Sequence, residues 1–183
     1  MNSNWKTAML ALVLLAGVLG GCASSVKRAD DPGKRQAVFS RDGVVARDVT
    51  ISLDKNAQAQ LAENLKFSGE RLLSTVKQAL DAKGMLAKAP GPGLPAVEII
   101  ITDIRVRSNF AAIMFGIMAG EDRIAGDVIV RDAGGTELQR FSVTVSYALG
   151  GLAGGQDDAR MGWLYESFAK ETMNELTGPA AAK

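Results

Sequence analysis

The ten residues Val97 to Val106 constrain the fold more than any other stretch of the chain. Val97, Ile99 and Ile101 fall on one side of an extended backbone, and Ile100, Ile104 and Val106 on the other. A strand that is apolar on both sides needs paired neighbours along both edges and cover on both faces. The spacing therefore predicts a central strand. Asp103 beside Thr102 breaks the apolar pattern and marks a bulge or the strand's exit from the core.

The flanking segments supply the rest of a layered domain. Upstream, Val45, Arg47, Val49, Ile51 and Leu53 alternate with Asp48, Thr50 and Ser52, which predicts a half-buried strand with Arg47 near its rim. Asp54 is placed to cap a helix from about Asn56 to Lys83, in which Leu61, Leu65, Leu72, Val76 and Leu80 recur at helical spacing. Ser68-Gly69 interrupts it, with Ser68 able to cap a second half, so one kinked helix or two in series are expected, ending at Gly84. Prolines and glycines between Ala87 and Pro95 make a connection.

Downstream, Ile124, Val128 and Val130 alternate with Ala125, Asp127, Ile129 and Arg131, Asp132-Ala133-Gly134-Gly135 supplies a turn, and Phe141, Val143, Val145 and Tyr147 alternate with Ser142, Thr144 and Ser146. This is a hairpin with one wet face. Leu138 is out of phase with Phe141, which predicts a twist or a bulge near Gln139-Arg140. After a glycine-rich stretch, Asp157 or Asp158 can cap a last helix carrying Met161, Leu164, Tyr165, Phe168 and Leu176 on one stripe, stopped by Gly178-Pro179. The predicted class is α+β: an antiparallel or mixed sheet of about four strands, with a long helix and a C-terminal helix on one face. Residues 37–178 form the single domain and residues 179–183 a disordered tail.

The start of the chain is a leader rather than part of that domain. Lys6 precedes an apolar run from Ala8 to Leu19, followed by Gly20, Gly21 and Cys22, the only cysteine. A charged n-region, a short apolar run and a small-residue cleavage site in this order form a signal peptide over residues 1–21. The run supplies about a dozen apolar residues where a spanning helix needs about 20. Leu19-Gly20-Gly21-Cys22 also resembles the lipobox of bacterial lipoprotein precursors, a resemblance that implies acylation of Cys22 and a membrane anchor there. Alanine rather than aspartate after Cys22 goes, in such lipoproteins, with transfer to the outer membrane, on its periplasmic face. The small, polar residues that follow, with Asp31-Pro32-Gly33 as a breaker, predict a flexible tether over residues 22–36.

Composition excludes much chemistry. Lys and Arg number 21 against 20 for Asp and Glu, and loss of Lys6 with the leader leaves 20 against 20. No basic excess points to nucleic acid. The chain has no histidine, and acylation would consume its only thiol, so triads built on His or Cys and the usual zinc sites are excluded. No metal or cofactor is expected. Carboxylate pairs remain, Glu121 with Asp122 and Asp157 with Asp158, yet adjacent acids in loops serve mostly as caps and solvated turns; acid–base chemistry needs two groups converging across a cleft. The strand end Asp103-Arg105-Arg107 is the place to look for a ligand site, against the plainer reading of a solvated face.

From Arg105 to Arg140 the chain resembles a known family. Arg-x-x, the apolar glycine-rich run ending Phe115-Gly116-Ile117-Met118-Ala119-Gly120, an amphipathic strand, and Arg-Asp-Ala-Gly-Gly-Thr-Glu-Leu (Arg131 to Leu138) follow the layout of the domain-of-unknown-function 4410 family of bacterial lipoproteins. The likeness extends over roughly Val44 to Leu176, through the helix ending in Lys-Gly and the glycine-rich loop before the last helix. It implies a location and a fold, and no activity.

The segment Phe110 to Gly120 is not required by the fold. Ala112, Gly116 and Gly120 recur at intervals of four, as do Met114 and Met118. Three readings stand: a buried connection, a contact with an envelope protein or a second copy of the chain, or a contact with the membrane. Met114, Phe115, Gly116, Ile117, Met118 and Gly120 form the candidate interaction surface. The function expected from the sequence is that of a lipid-anchored outer-membrane lipoprotein without enzymatic activity, an accessory or assembly component of the envelope. The alternative is a periplasmic small-ligand binder or an enzyme with a carboxylate-based site.

Overall fold

The computed structural model describes residues 22–28, 39, 44–89, 91–108, 120–148 and 157–178. The expected leader with Leu19, Gly20 and Gly21, and the residues 179–183 expected as a tail, lie outside them. The class is α+β, as expected. The described residues form a mixed sheet of five strands, β1 (Cys22–Arg28), β2 (Val49–Leu53), β3 (Ala96–Arg105), β4 (Asp122–Arg131) and β5 (Glu137–Tyr147), and three helices, α1 (Lys55–Leu61), α2 (Gly69–Ala82) and α3 (Asp157–Thr177). Spatial order is β1-β5-β4-β3-β2. Only the β2–β3 pair is parallel. A parallel pair needs a crossover connection, and α1 and α2 provide it.

The first strand corrects the expected tether. Cys22–Arg28 pairs with β5 over its whole length, from Cys22 opposite Tyr147 to Arg28 opposite Phe141, so the sheet has one strand more than expected and the domain begins before residue 37. An edge strand shows no apolar period because little of it is buried. On its helix side Ser24 donates to Glu171 of α3 at 2.9 Å and Arg28 makes a two-point contact with Glu175 at 2.6 Å. Polar residues and cations on an edge also discourage further strand pairing.

The central position of β3 is as expected, between β4 and β2, but its cover is not two-sided. Val97, Ile99 and Ile101 are buried beneath the helices, while Ile100 on the other side is only half-buried. The register slips between Ile101 and Asp103, and this bulge moves Ile104 onto the helix side, where it is buried. Ile104 thus reflects a change of phase, whereas Ile100, before the bulge, belongs to the other face. Beyond the bulge β2 has ended, and α1 takes over its role. The Ile104 amide donates to Oε1 of Gln60 in α1 at 2.8 Å and the Val106 amide to Oδ1 of Asn64 in the turn that follows it at 2.6 Å.

The helices follow their caps. Asp54 accepts from the Ala57 amide at 2.8 Å, and Ser68 Oγ from the Arg71 amide at 3.2 Å, so the long helix is two in series. The break at Ala62 divides the expected stripe. Leu72, Val76 and Leu80 are fully buried, whereas Leu61 is 38% and Leu65 83% exposed. Gly84 closes α2 at φ +67°, a left-handed cap that favours glycine. On α3, Met161, Leu164, Tyr165, Phe168 and Leu176 are all buried, as the stripe required.

In the β4–β5 hairpin, Ile124, Val128, Val130, Phe141, Val143 and Val145 enter the core. The slip falls between Val130 opposite Gln139 and Arg131 opposite Glu137, which makes Leu138 itself the extra residue, one position before the expected bulge. The sheet's other face is a lattice of charge pairs, Arg123 with Asp103 at 2.9 Å, Arg131 with Glu98 at 3.3 Å and Arg140 with Glu137 at 2.8 Å. Ile129 is nonetheless buried there, between its register partners Glu98 and Arg140, whose stems flank it.

Candidate functional site

Register gathers one end of the sheet around three chain positions. Tyr147 lies opposite both Cys22 and Asp122, so the start of β1, the end of β5 and the start of β4 are level, within about 10 Å across two strand spacings. β3 ends there too, with Arg105 opposite Arg123. Cys22 is the first residue of β1, level with the strand ends.

Beneath this end sits a buried charge network. Asp122, fully buried at the start of β4, accepts at Oδ1 from the Arg107 amide at 2.7 Å and at Oδ2 from two guanidinium groups, Arg107 at 3.0 Å and Arg160 at 2.9 Å. Arg160 also donates to Asp157 Oδ1 at 2.7 Å and to the Arg107 carbonyl at 3.1 Å. Lys66 lies 3.6 Å from Asp157 Oδ2. Arg107 continues to the carbonyls of Gly120, Tyr147 and Ala148, at 2.8, 3.0 and 3.4 Å.

Buried charges are costly unless paired and hydrogen-bonded, and here the bonds converge on backbone. The network ties the end of β3, the start of β4, the end of β5 and the first turn of α3 into one joint. Its groups hold backbone at Gly120, at the end of β5 and at Ala148. Gly120 has φ +86°, in the left-handed region that favours glycine.

The candidate residues from the sequence separate accordingly. Asp103, Arg105 and Arg107 do not form one site. Asp103 bonds Gln60 at 2.8 Å and Arg123, Arg105 is exposed, and Arg107 is buried in the network. Nor does either acidic pair act as a pair. Asp122 and Asp157, one from each, meet on Arg160, whereas Asp158 lies exposed beside Arg71 at 3.3 Å. Asp157 is therefore a buried network residue rather than a solvated cap. Met114, Phe115, Gly116, Ile117 and Met118 lie outside the described residues, and Gly120 is described, its carbonyl accepting from Arg107 at 2.8 Å.

The residue missed from sequence is Arg160. Its signal was present: it shares the buried stripe of α3 with Met161, Leu164 and Phe168, and an arginine on a core stripe requires a buried acid. Among the described residues no three acidic or cysteine groups cluster to hold a metal ion. A surface hollow of about 430 Å³, lined by Arg47, Asp48, Leu86 and Ala87, carries one acid, and Asp48 is engaged by Lys77 at 2.8 Å. That bond holds the Asp48 carboxyl below its ordinary range.

Among solved structures the chain is similar to the PelC dodecamer from Paraburkholderia phytofirmans, at 12% identity and a TM-score of 0.47, and to a dodecamer of a PelC point variant from the same organism, at 14% and 0.44. Each likeness covers 86% of this chain and 100% of the other. No curated protein matches the chain. The profile of a domain of unknown function, DUF4410, matches residues 25–151, from within β1 to just past β5, and the chain belongs to that family.

Proposed function

We propose that the chain is a lipid-anchored lipoprotein of the bacterial envelope, held on the periplasmic face of the outer membrane, and that it serves there as a non-enzymatic accessory or assembly component. The observation that carries this reading is Cys22. It is the only cysteine, it follows Leu19-Gly20-Gly21, and it stands at the first position of an edge strand, where a new N-terminus leaves the sheet intact. The absence of catalysis is supported by the use of the buried acids and arginines, whose bonds run to the backbone of Arg107, Gly120 and Tyr147 and to each other.

The test is Cys22→Ser in the full chain. Incorporation of labelled fatty acid should cease, and the protein should leave the membrane fraction or remain as precursor. Continued labelling of the serine variant counts against the anchor. A single acyl chain anchors only marginally, so stable attachment draws on the several chains that lipoprotein processing adds. The assembly role is tested by cross-linking the membrane-bound protein in its native envelope and identifying what is captured.

A further inference from the structure

We infer that the sheet end at Cys22 is itself a membrane-seating surface, on which Leu61 and Leu65 enter the bilayer that holds the anchor. The inference rests on the reading of Cys22 as the acylated residue. Its argument is the absence of slack. A lipoprotein domain normally hangs from a tether, but here the residue to be acylated is already paired with Tyr147 as the first residue of β1, with no residue between anchor and sheet. The acyl chains must enter the bilayer where the sheet ends, so that end lies against the membrane surface.

That end exposes two large apolar side chains, Leu61 and Leu65, among polar neighbours that include Glu63, Lys66 and Arg105. The turn after α1 is fixed there by two contacts. Asn64 accepts from the Val106 amide just beyond β3, and Lys66 pairs with Asp157 of the buried network. Between them Leu65 is 83% exposed, with Leu61 one turn earlier at 38%. The third large apolar side chain exposed among the described residues, Leu138, is at the far end of the β4–β5 hairpin. The anchor lies on the first strand of the sheet and the leucines beside the fourth, at least about 15 Å apart by strand spacing. Two footings so separated fix the orientation, with strands standing on the bilayer and the hairpin turn about 30 Å above it at ten residues of strand rise.

The experiment uses the acylated full chain in phosphatidylcholine vesicles that carry a nitroxide quencher on the lipid. Leu65→Cys and Leu138→Cys each offer one free thiol, because Cys22 is blocked by acylation, and each is labelled with an environment-sensitive fluorophore. Mass spectrometry of the N-terminal peptide establishes the acylation. The seating predicts loss of most of the fluorescence at position 65 and none at 138. Inserting a twelve-residue Gly/Ser linker between Cys22 and Ala23 should restore the signal at 65 while the lipid stays in place. An unquenched label at 65 in acylated protein overturns the seating and leaves the anchor standing, whether water or a second copy of the chain covers the site. Equal quenching at 65 and 138, or quenching unaffected by the linker, also overturns it. An unmodified Cys22 overturns the anchor, and the seating with it.

Discussion

Asp122 is the residue on which the sheet end depends. Its carboxylate sits between two buried guanidinium groups, and it also accepts the amide that starts the turn out of β3. Asp122→Asn keeps the shape but removes the charge, leaving Arg107 and Arg160 buried against each other. Breaking a buried pair in this way costs about 3–5 kcal/mol. The expected outcome is a large drop in the urea midpoint of the soluble domain; an unchanged midpoint would show that the network is dispensable. Gly126 constrains the same strand by size alone, since a Cβ there would meet the Ile100 carbonyl at 3.0 Å and Ile101 Cδ1 at 3.1 Å. Asp122 looked like half of a solvated acidic pair in the sequence. Neighbouring letters do not reveal that its partners stand fifteen and thirty-eight positions away.

At the scale of elements, the junction of α1 and α2 is held from outside. The Ser68 amide donates to the Tyr165 hydroxyl oxygen at 2.7 Å, linking the N-terminus of α2 to α3, and Phe67 meets the same ring edge-on at 6.1 Å. Burial raises the Tyr165 hydroxyl above its ordinary pKa, against smaller opposing effects of the Ser68 amide and Arg71. The folded protein therefore keeps this proton to higher pH than the unfolded chain. Its contribution is complete below about pH 10 and is lost as pH rises through the folded value. Tyr165→Phe is expected to cost about 0.5–1.5 kcal/mol at neutral pH through the lost hydrogen bond. Above pH 10 the variant's stability should fall less steeply than that of the parent, which denaturation midpoints across the alkaline range will check. Asp54 and Ser68 were legible as caps because a cap is local chemistry, whereas the brace from Tyr165 joins segments 97 positions apart.

At the scale of the whole molecule, β1 makes Cys22 part of the fold. A soluble chain beginning at residue 29 lacks the strand, exposes the hydrogen-bonding edge of β5, and loses the contacts of Ser24 and Arg28 with α3. Compared with a chain beginning at residue 23, it should unfold at lower temperature and self-associate more readily, because a bare edge next to apolar residues recruits other strands. Thermal scans and light scattering on the two truncations will measure this. Equal melting temperatures and equal mass distributions would mean that β1 lies on the sheet without stabilising it.

Periodicity alone determined the core of this protein. Leu72, Val76, Leu80, Val97, Ile99, Ile101 and the stripe of α3 are buried because an apolar face must leave water, and the spacing of such residues shows which face that is. The α+β order, the caps and the hairpin follow from equally local chemistry. Tertiary structure decided what periodicity has no means to encode. It turned the polar stretch at Cys22 into a strand, because an edge is held by backbone bonds that any sequence can make. It also left Leu65 outside the core where α1 breaks, and brought Arg107, Asp122, Asp157 and Arg160 together. Hydrogen bonds and ion pairs carry no period, so their partners are set only once the strands lie side by side.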